Sequence, residues 1–167
     1  VGGACPAAGV VASDNVVRHR DTSAVSMRLG YAGGNRDAVV EGNLVIGALM
    51  VRDWALLRLR NNRVFGADAL VRLRTAAAKP PAAWTWNGNR YFGLGETPPQ
   101  RRFTLRHGDD RRFMDIAAWR MVTGLDADST YVRGAGGRDQ VIVRPNRYEP
   151  GRATIVVLNW TGREEIR

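Results

Sequence analysis

All but one of the 25 basic residues in this 167-residue chain are arginine, Lys79 being the exception, and the net charge is +9. The excess is local: residues 48–94 carry eight basic side chains against only Asp53 and Asp68. Guanidinium forks donate paired hydrogen bonds to carboxylate and sulfate groups, so this stretch has the chemistry to hold an anion. Three dipeptides, Met27-Arg28, Val51-Arg52 and Val71-Arg72, recur in matching positions and single out Arg28, Arg52 and Arg72, with Arg58 and Arg60 on a neighbouring segment. Composition offers a plainer account as well, a solvated arginine face in an arginine-biased sequence.

Other reactive types are sparse. His19, flanked by Arg18, Arg20 and Asp21, is the one candidate for a titrating catalytic base, against its reading as a surface histidine. His107 with Asp109 and Asp110 has triad-like composition but no accompanying nucleophile. Asp126 and Asp128, two apart, suit a calcium loop, yet the glycine and distal glutamate of an EF-hand are missing, and a capping turn is the competing reading. Hydrolysis by paired carboxylates is poorly served where only two acids occur in the basic stretch. Cys5, the only cysteine, excludes an intramolecular disulfide and a multi-cysteine zinc site. No metal or other cofactor is expected.

The elements that must position these groups repeat. Asp14-Asn15-Val16, Gly42-Asn43-Leu44, Asn61-Asn62-Arg63 and Gly88-Asn89-Arg90 open four segments that align without gaps. The intervals between asparagines are 28 (15 to 43), 19 (43 to 62) and 27 (62 to 89). Before each of the last three lies an alternating run: Ala38 and Val40, Leu57 and Leu59, Trp84 and Trp86 fall on one face. A second strand follows in each unit, at residues 25–29, 49–53 and 70–74. Asn15, Asn43, Asn62 and Asn89 are thus expected to stack at one bend as an amide ladder, with Arg28, Arg52 and Arg72 in an outward column. An antiparallel sandwich with unrelated asparagine turns is the alternative.

The run from residue 10 to 93, about half the chain, resembles the right-handed parallel β-helix proteins of the pectate-lyase-like superfamily, whose rungs carry asparagine at inward bends. The resemblance implies an all-β solenoid at 1–94. Residues 95–131 would form a connector and a capping helix: Asp115 is an N-cap, Ile116, Trp119 and Val122 share one side, and Gly124 is a stop. Residues 113–131, notably Trp119 and Thr123-Gly124-Leu125-Asp126-Ala127-Asp128-Ser129, are similar to a stretch that follows β-helix domains in bacterial carbohydrate-associated proteins. Residues 132–167 would begin an antiparallel β unit, with strands at 140–144 and 153–160 joined through Glu149-Pro150-Gly151. Both ends read as truncated.

The function implied is binding or acting on an anionic polysaccharide. One reading is a polysaccharide lyase, and the other a non-catalytic surface or structural module that binds glycan. Elimination requires a group that neutralises the uronate carboxylate and a base for the C5 proton, and no complete constellation is visible. Nucleic acid is disfavoured because Trp84 and Trp86 fall on the inward alternation, and no apolar run is long enough for a membrane span. A secreted or cell-surface monomer is the expectation.

Overall fold

A computed structural model describes residues 5–31, 33–137, 139–146 and 148–165. The expectations of truncation at Val1 and Arg167 lie outside those residues. Two compact units are present, Val1–Gly134 and Ala135–Arg167.

In the first unit the chain visits three sheets in rotation. The first turn supplies β1 (Val10–Ser13), β2 (Val16–Arg18) and β3 (Val25–Leu29), and the second β4 (Asn35–Glu41), β5 (Leu44–Ile46) and β6 (Ala48–Arg52). Then come β7 (Trp54–Arg60), β8 (Arg63–Gly66) and β9 (Val71–Thr75), followed by β10 (Thr85–Asn87), β11 (Arg90–Gly93) and β12 (Phe103–His107). A hairpin strand β13 (Asp110–Met114), the helix α1 (Ile116–Thr123) and β14 (Thr130–Arg133) complete the unit. The sheets run β1-β4-β7-β10, β2-β5-β8-β11-β14 and β3-β6-β9-β12-β13. Every pairing in them is parallel except β12 with β13. Parallel register of this kind rules out the antiparallel sandwich for the first unit.

The alternation explains why these segments stack. One inward column of the first sheet holds Ala12, Val40, Leu59 and Trp86. The second sheet contributes Val17, Val45, Val64, Tyr91 and Tyr131, and the third Met27, Leu49, Val71, Phe103 and Met114. Aliphatic residues fill the early turns and aromatic ones the last. There α1 lays Trp119, fully buried, 6.0 Å from Trp86 and 5.5 Å from Phe103 between ring centroids. Asp115 caps α1 by accepting from Ala118 N–H at 2.8 Å, and Gly124 ends it in the left-handed region at φ 72°.

The corners have a local cause. Asp14, Gly42, Asn61 and Gly88, each just before a ladder asparagine, take positive φ of 55°, 67°, 54° and 68°. Aspartate, asparagine and glycine are the types that tolerate this region. The next residue then turns its amide along the stack. Asn15 Nδ2 donates to Asn43 Oδ1 at 3.0 Å, Asn43 Nδ2 to Asn62 Oδ1 at 2.9 Å and Asn62 Nδ2 to Asn89 Oδ1 at 3.0 Å. Each acceptor also receives the backbone N–H of the asparagine before it, at 2.9, 3.0 and 3.0 Å.

Residue 94 does not end the stacking of strands. The parallel stack continues through β12 and β14 to Arg133, so 95–131 is more than connector and helix. The inward pair Phe103 and Leu105 is obscured in sequence by the arginines around it. A fifth corner occurs at Ser129, whose Oγ accepts Asn89 N–H at 2.8 Å while Thr130 N–H donates to Asn89 O at 2.8 Å.

In the second unit, β15 (Gln140–Pro145) and β16 (Ala153–Leu158) pair antiparallel. Asn146 steadies their turn by accepting Tyr148 N–H at 2.9 Å. No helix among the described residues is long and apolar enough to cross a membrane.

Candidate anion-binding face

The outer surface of the third sheet gathers arginines, though not in the expected column. Register pairs Arg28 with Met50, Met50 with Arg72 and Arg72 with Thr104. Arg52 pairs instead with Arg74, Arg74 with Arg106, and Arg106 with Arg111 across the hairpin. Arg28 and Arg72 therefore share one row, and Arg52 belongs to the row beside it. The two-residue slip keeps every side chain on its face, so alternation alone could not detect it. The real file of guanidiniums is Arg52, Arg74, Arg106 and Arg111. Arg58 and Arg60 lie on β7 in the first sheet, both exposed, with Arg58 3.9 Å from Glu41.

Strands about 4.8 Å apart set the spacing of that file, where neighbouring unit charges repel by roughly 0.8 kcal/mol in water. Protein groups relieve part of this. Arg52 donates to Tyr31 O at 2.6 Å and lies 3.8 Å from Asp53. Arg72 donates through Nη2 to Ser23 O at 3.0 Å and to Asp68 at 3.2 Å. Arg106 bonds Gly108 O at 3.0 Å with Asp109 3.8 Å away. The side chain of Arg74, a half-buried residue, has no hydrogen-bond or ion-pair partner among the described residues.

A cleft of roughly 230 Å³ opens here, lined by Met50, Arg72, Leu73, Arg74, Thr104, Arg106 and Arg111. No acid lines it. Two polar atoms of its lining residues, Arg72 Nε and Thr104 Oγ1, are buried beneath its surface without a hydrogen-bond partner among the described residues. At its margin Phe113 is 41% exposed, with Arg111 4.6 Å and Arg101 4.9 Å from the ring centroid. An apolar ring between cations suits a ligand with both an apolar face and negative groups.

The remaining candidates stand apart from this cleft's lining. His19 is exposed, and its Nδ1 meets the backbone N–H of Asp21 at 3.0 Å. His107 Nδ1 is 3.4 Å from Thr75 O, while Asp110 pairs with Arg112 at 2.9 Å, so no triad assembles. Cys5 is exposed and free.

Asp126 and Asp128 do not face one ligand position. Asp128 exchanges hydrogen bonds with the Asn87 side chain at 2.6 Å each. Asp126 turns into the core at φ 62° and accepts from Asn89 Nδ2 at 3.1 Å, Tyr91 Oη at 3.0 Å, Trp119 Nε1 at 2.9 Å and the Ser129 hydroxyl. Burial pushes its carboxyl above the usual range although Ser129, Asn89, Trp119 and Tyr91 pull the other way. Burial, with the Asp126 charge beside it, also drives the Tyr91 phenol well up. This hub closes the amide ladder and belongs to the architecture.

Sequence reasoning missed Arg74, Arg106, Arg111 and Thr104. The Phe103-Thr104-Leu105-Arg106 alternation carried a signal, matching Val71-Arg72-Leu73-Arg74 in type at three positions of four. Comparison with protein-family models, curated proteins and solved structures gave no match to this chain.

Proposed function

We propose that the first unit is part of a right-handed parallel β-helix of the pectate-lyase-like kind whose third sheet binds an anionic polysaccharide. The rotation of successive strands through three parallel sheets and the asparagine corners support the architecture. Its hand follows from the strong preference of parallel crossovers for right-handed connection. The observation that carries the function is the in-register file Arg52, Arg74, Arg106 and Arg111, with the Arg74 side chain unpaired, among the described residues, beside a cleft that no described acid lines. A polymer with regularly spaced negative groups relieves the repulsion along such a file. Its sugar rings would lie against Phe113.

We read the module as a binder. Elimination needs a base within reach of the C5 proton, and neither histidine nor carboxylate lines the cleft. Since such polymers are met outside the cytoplasm, we place the protein as secreted or at the cell surface. Calorimetric titration with polygalacturonate tests the proposal. The double variant Arg74→Ala plus Arg106→Ala is expected to bind at least about tenfold more weakly, each lost charged hydrogen bond being worth about 1.5 kcal/mol or more. Equal affinity of variant and parent would end the reading. Growth of ultraviolet absorbance from unsaturated uronate during the same incubation would replace binder with lyase.

A further inference from the structure

We infer that the free edge of β13 docks an extended acidic peptide, which pairs antiparallel with it and lengthens the third sheet by one strand. β13 is the outermost strand of that sheet and pairs with β12 on one side only. Asp110, Arg111, Arg112 and Phe113 are exposed, and only Met114 is buried. Such an edge presents backbone donors and acceptors that no ladder has taken up.

The hairpin fixes which of these groups face outward. His107 and Asp110 flank the two-residue loop Gly108-Asp109, with Gly108 at φ 57° in its first position, so they form the closing hydrogen-bonded pair. Bonded and non-bonded pairs then alternate along the ladder. Arg112 bonds to Leu105 and Met114 to Phe103, and the pairs at Arg111 and Phe113 are the non-bonded ones. The main-chain N–H and C=O of Arg111 and Phe113 therefore point away from β12. A strand laid along the edge meets bonding groups at these alternate residues.

Charge then selects the occupant. Arg111 and Arg101 stand 4.6 and 4.9 Å from the Phe113 ring centroid, and among the described residues neither has an acidic partner. The acids nearby are engaged, Asp110 with Arg112 at 2.9 Å and Asp109 with Arg106 at 3.8 Å. Residues directly opposite in an antiparallel pair share a face. Acidic side chains opposite Arg111 and Phe113 would thus meet Arg111 and Arg101, which defines a strand acidic at alternate positions. A second copy of β13 fits badly. Two-fold pairing centred on Arg111 or on Arg112 sets that arginine against itself, a destabilising arrangement. Pairing centred on Phe113 runs into Asp115, the cap of α1.

The test titrates the intact chain by calorimetry with the peptide acetyl-Thr-Glu-Val-Glu-Val-Glu-Thr-amide. Three further peptides run alongside: one methylated on the glutamate nitrogens, one on the valine nitrogens, and one with lysine for glutamate. In the pairing inferred, glutamate N–H groups face β13 and valine N–H groups face solvent. Methylating the glutamates is expected to weaken binding at least about tenfold, and methylating the valines to change it less than about twofold. The lysine peptide is expected not to bind, and Arg111→Glu should reverse the choice between the two charges. At saturating glutamate peptide, hydrogen exchange at the Arg111 and Phe113 amides should slow about tenfold or more. Equal losses on both methylations overturn edge pairing, as does no loss on either. Equal binding of the lysine and glutamate peptides overturns the charge selection, and unchanged exchange at both amides overturns the position. No binding of the glutamate peptide sinks the inference as a whole. The glycan reading would survive that result, since polygalacturonate is titrated separately and needs no backbone edge.

Discussion

At the scale of single residues, the asparagines differ in weight although they share one motif. Asn62 is fully enclosed, donates to Val40 O and Asn89 Oδ1 at 3.0 Å each, and receives both amide donors of Asn43. Asn62→Ala strands several of those groups at once and is expected to lower stability by about 3 kcal/mol. Asn15 is exposed at the end of the ladder, so Asn15→Ala should lower it by about 1 kcal/mol or less. Urea titrations of the two variants check the contrast, and equal losses would contradict it. Asp126 adds a pH term. Its folded carboxyl is held above the ordinary value of 3.8, so the stability it contributes is complete below that value and withdrawn as pH rises through the elevated one. The difference in melting temperature between the parent and Asp126→Asn should accordingly fall with rising pH in the window that begins at 3.8. A flat difference would mean that the four donors balance burial, and a rising one that they outweigh it.

Elements were legible where two signals agreed. Asp115 and Gly124 bracketed α1 because capping chemistry fixes both ends of a helix within a residue or so. Asp115→Ala should destabilise the chain by about 1 kcal/mol in thermal unfolding, with α1 fraying first. The bend at each asparagine was legible from the gap-free repeat, and the positive φ just before it explains why only aspartate, asparagine and glycine stand there. Register was not legible. In the third sheet, Val51-Arg52 can be laid on Val71-Arg72 or on Leu73-Arg74 with the same faces inward. The choice is made by chain geometry upstream, where β6 starts directly after Gly47 while β9 follows the longer 67–70 loop. At Gly47, φ is 124° and an added Cβ would sit 1.9 Å from Ser26 Oγ. A pattern of hydrophobic alternation carries no record of that constraint, and so the arginine file was misassembled.

For the whole molecule, the reach of the stack depended on signals too short to read in sequence. The three-residue run Phe103-Thr104-Leu105 sits among arginines, and β14 is four residues long, so neither announces itself without its neighbours. Yet β12 and its hairpin partner β13 supply three of the seven residues that line the cleft, Thr104, Arg106 and Arg111. The asparagine intervals of 28, 19 and 27 residues point elsewhere. Corners and strands hold their pairing while the linking segments absorb the difference, residues 76–83 between β9 and β10 among them. Such a design separates what must be conserved in length from what need not be: peptide grafted into 76–83 would change the contour of the rim without disturbing a single ladder amide, which makes that segment the natural site for a new recognition loop.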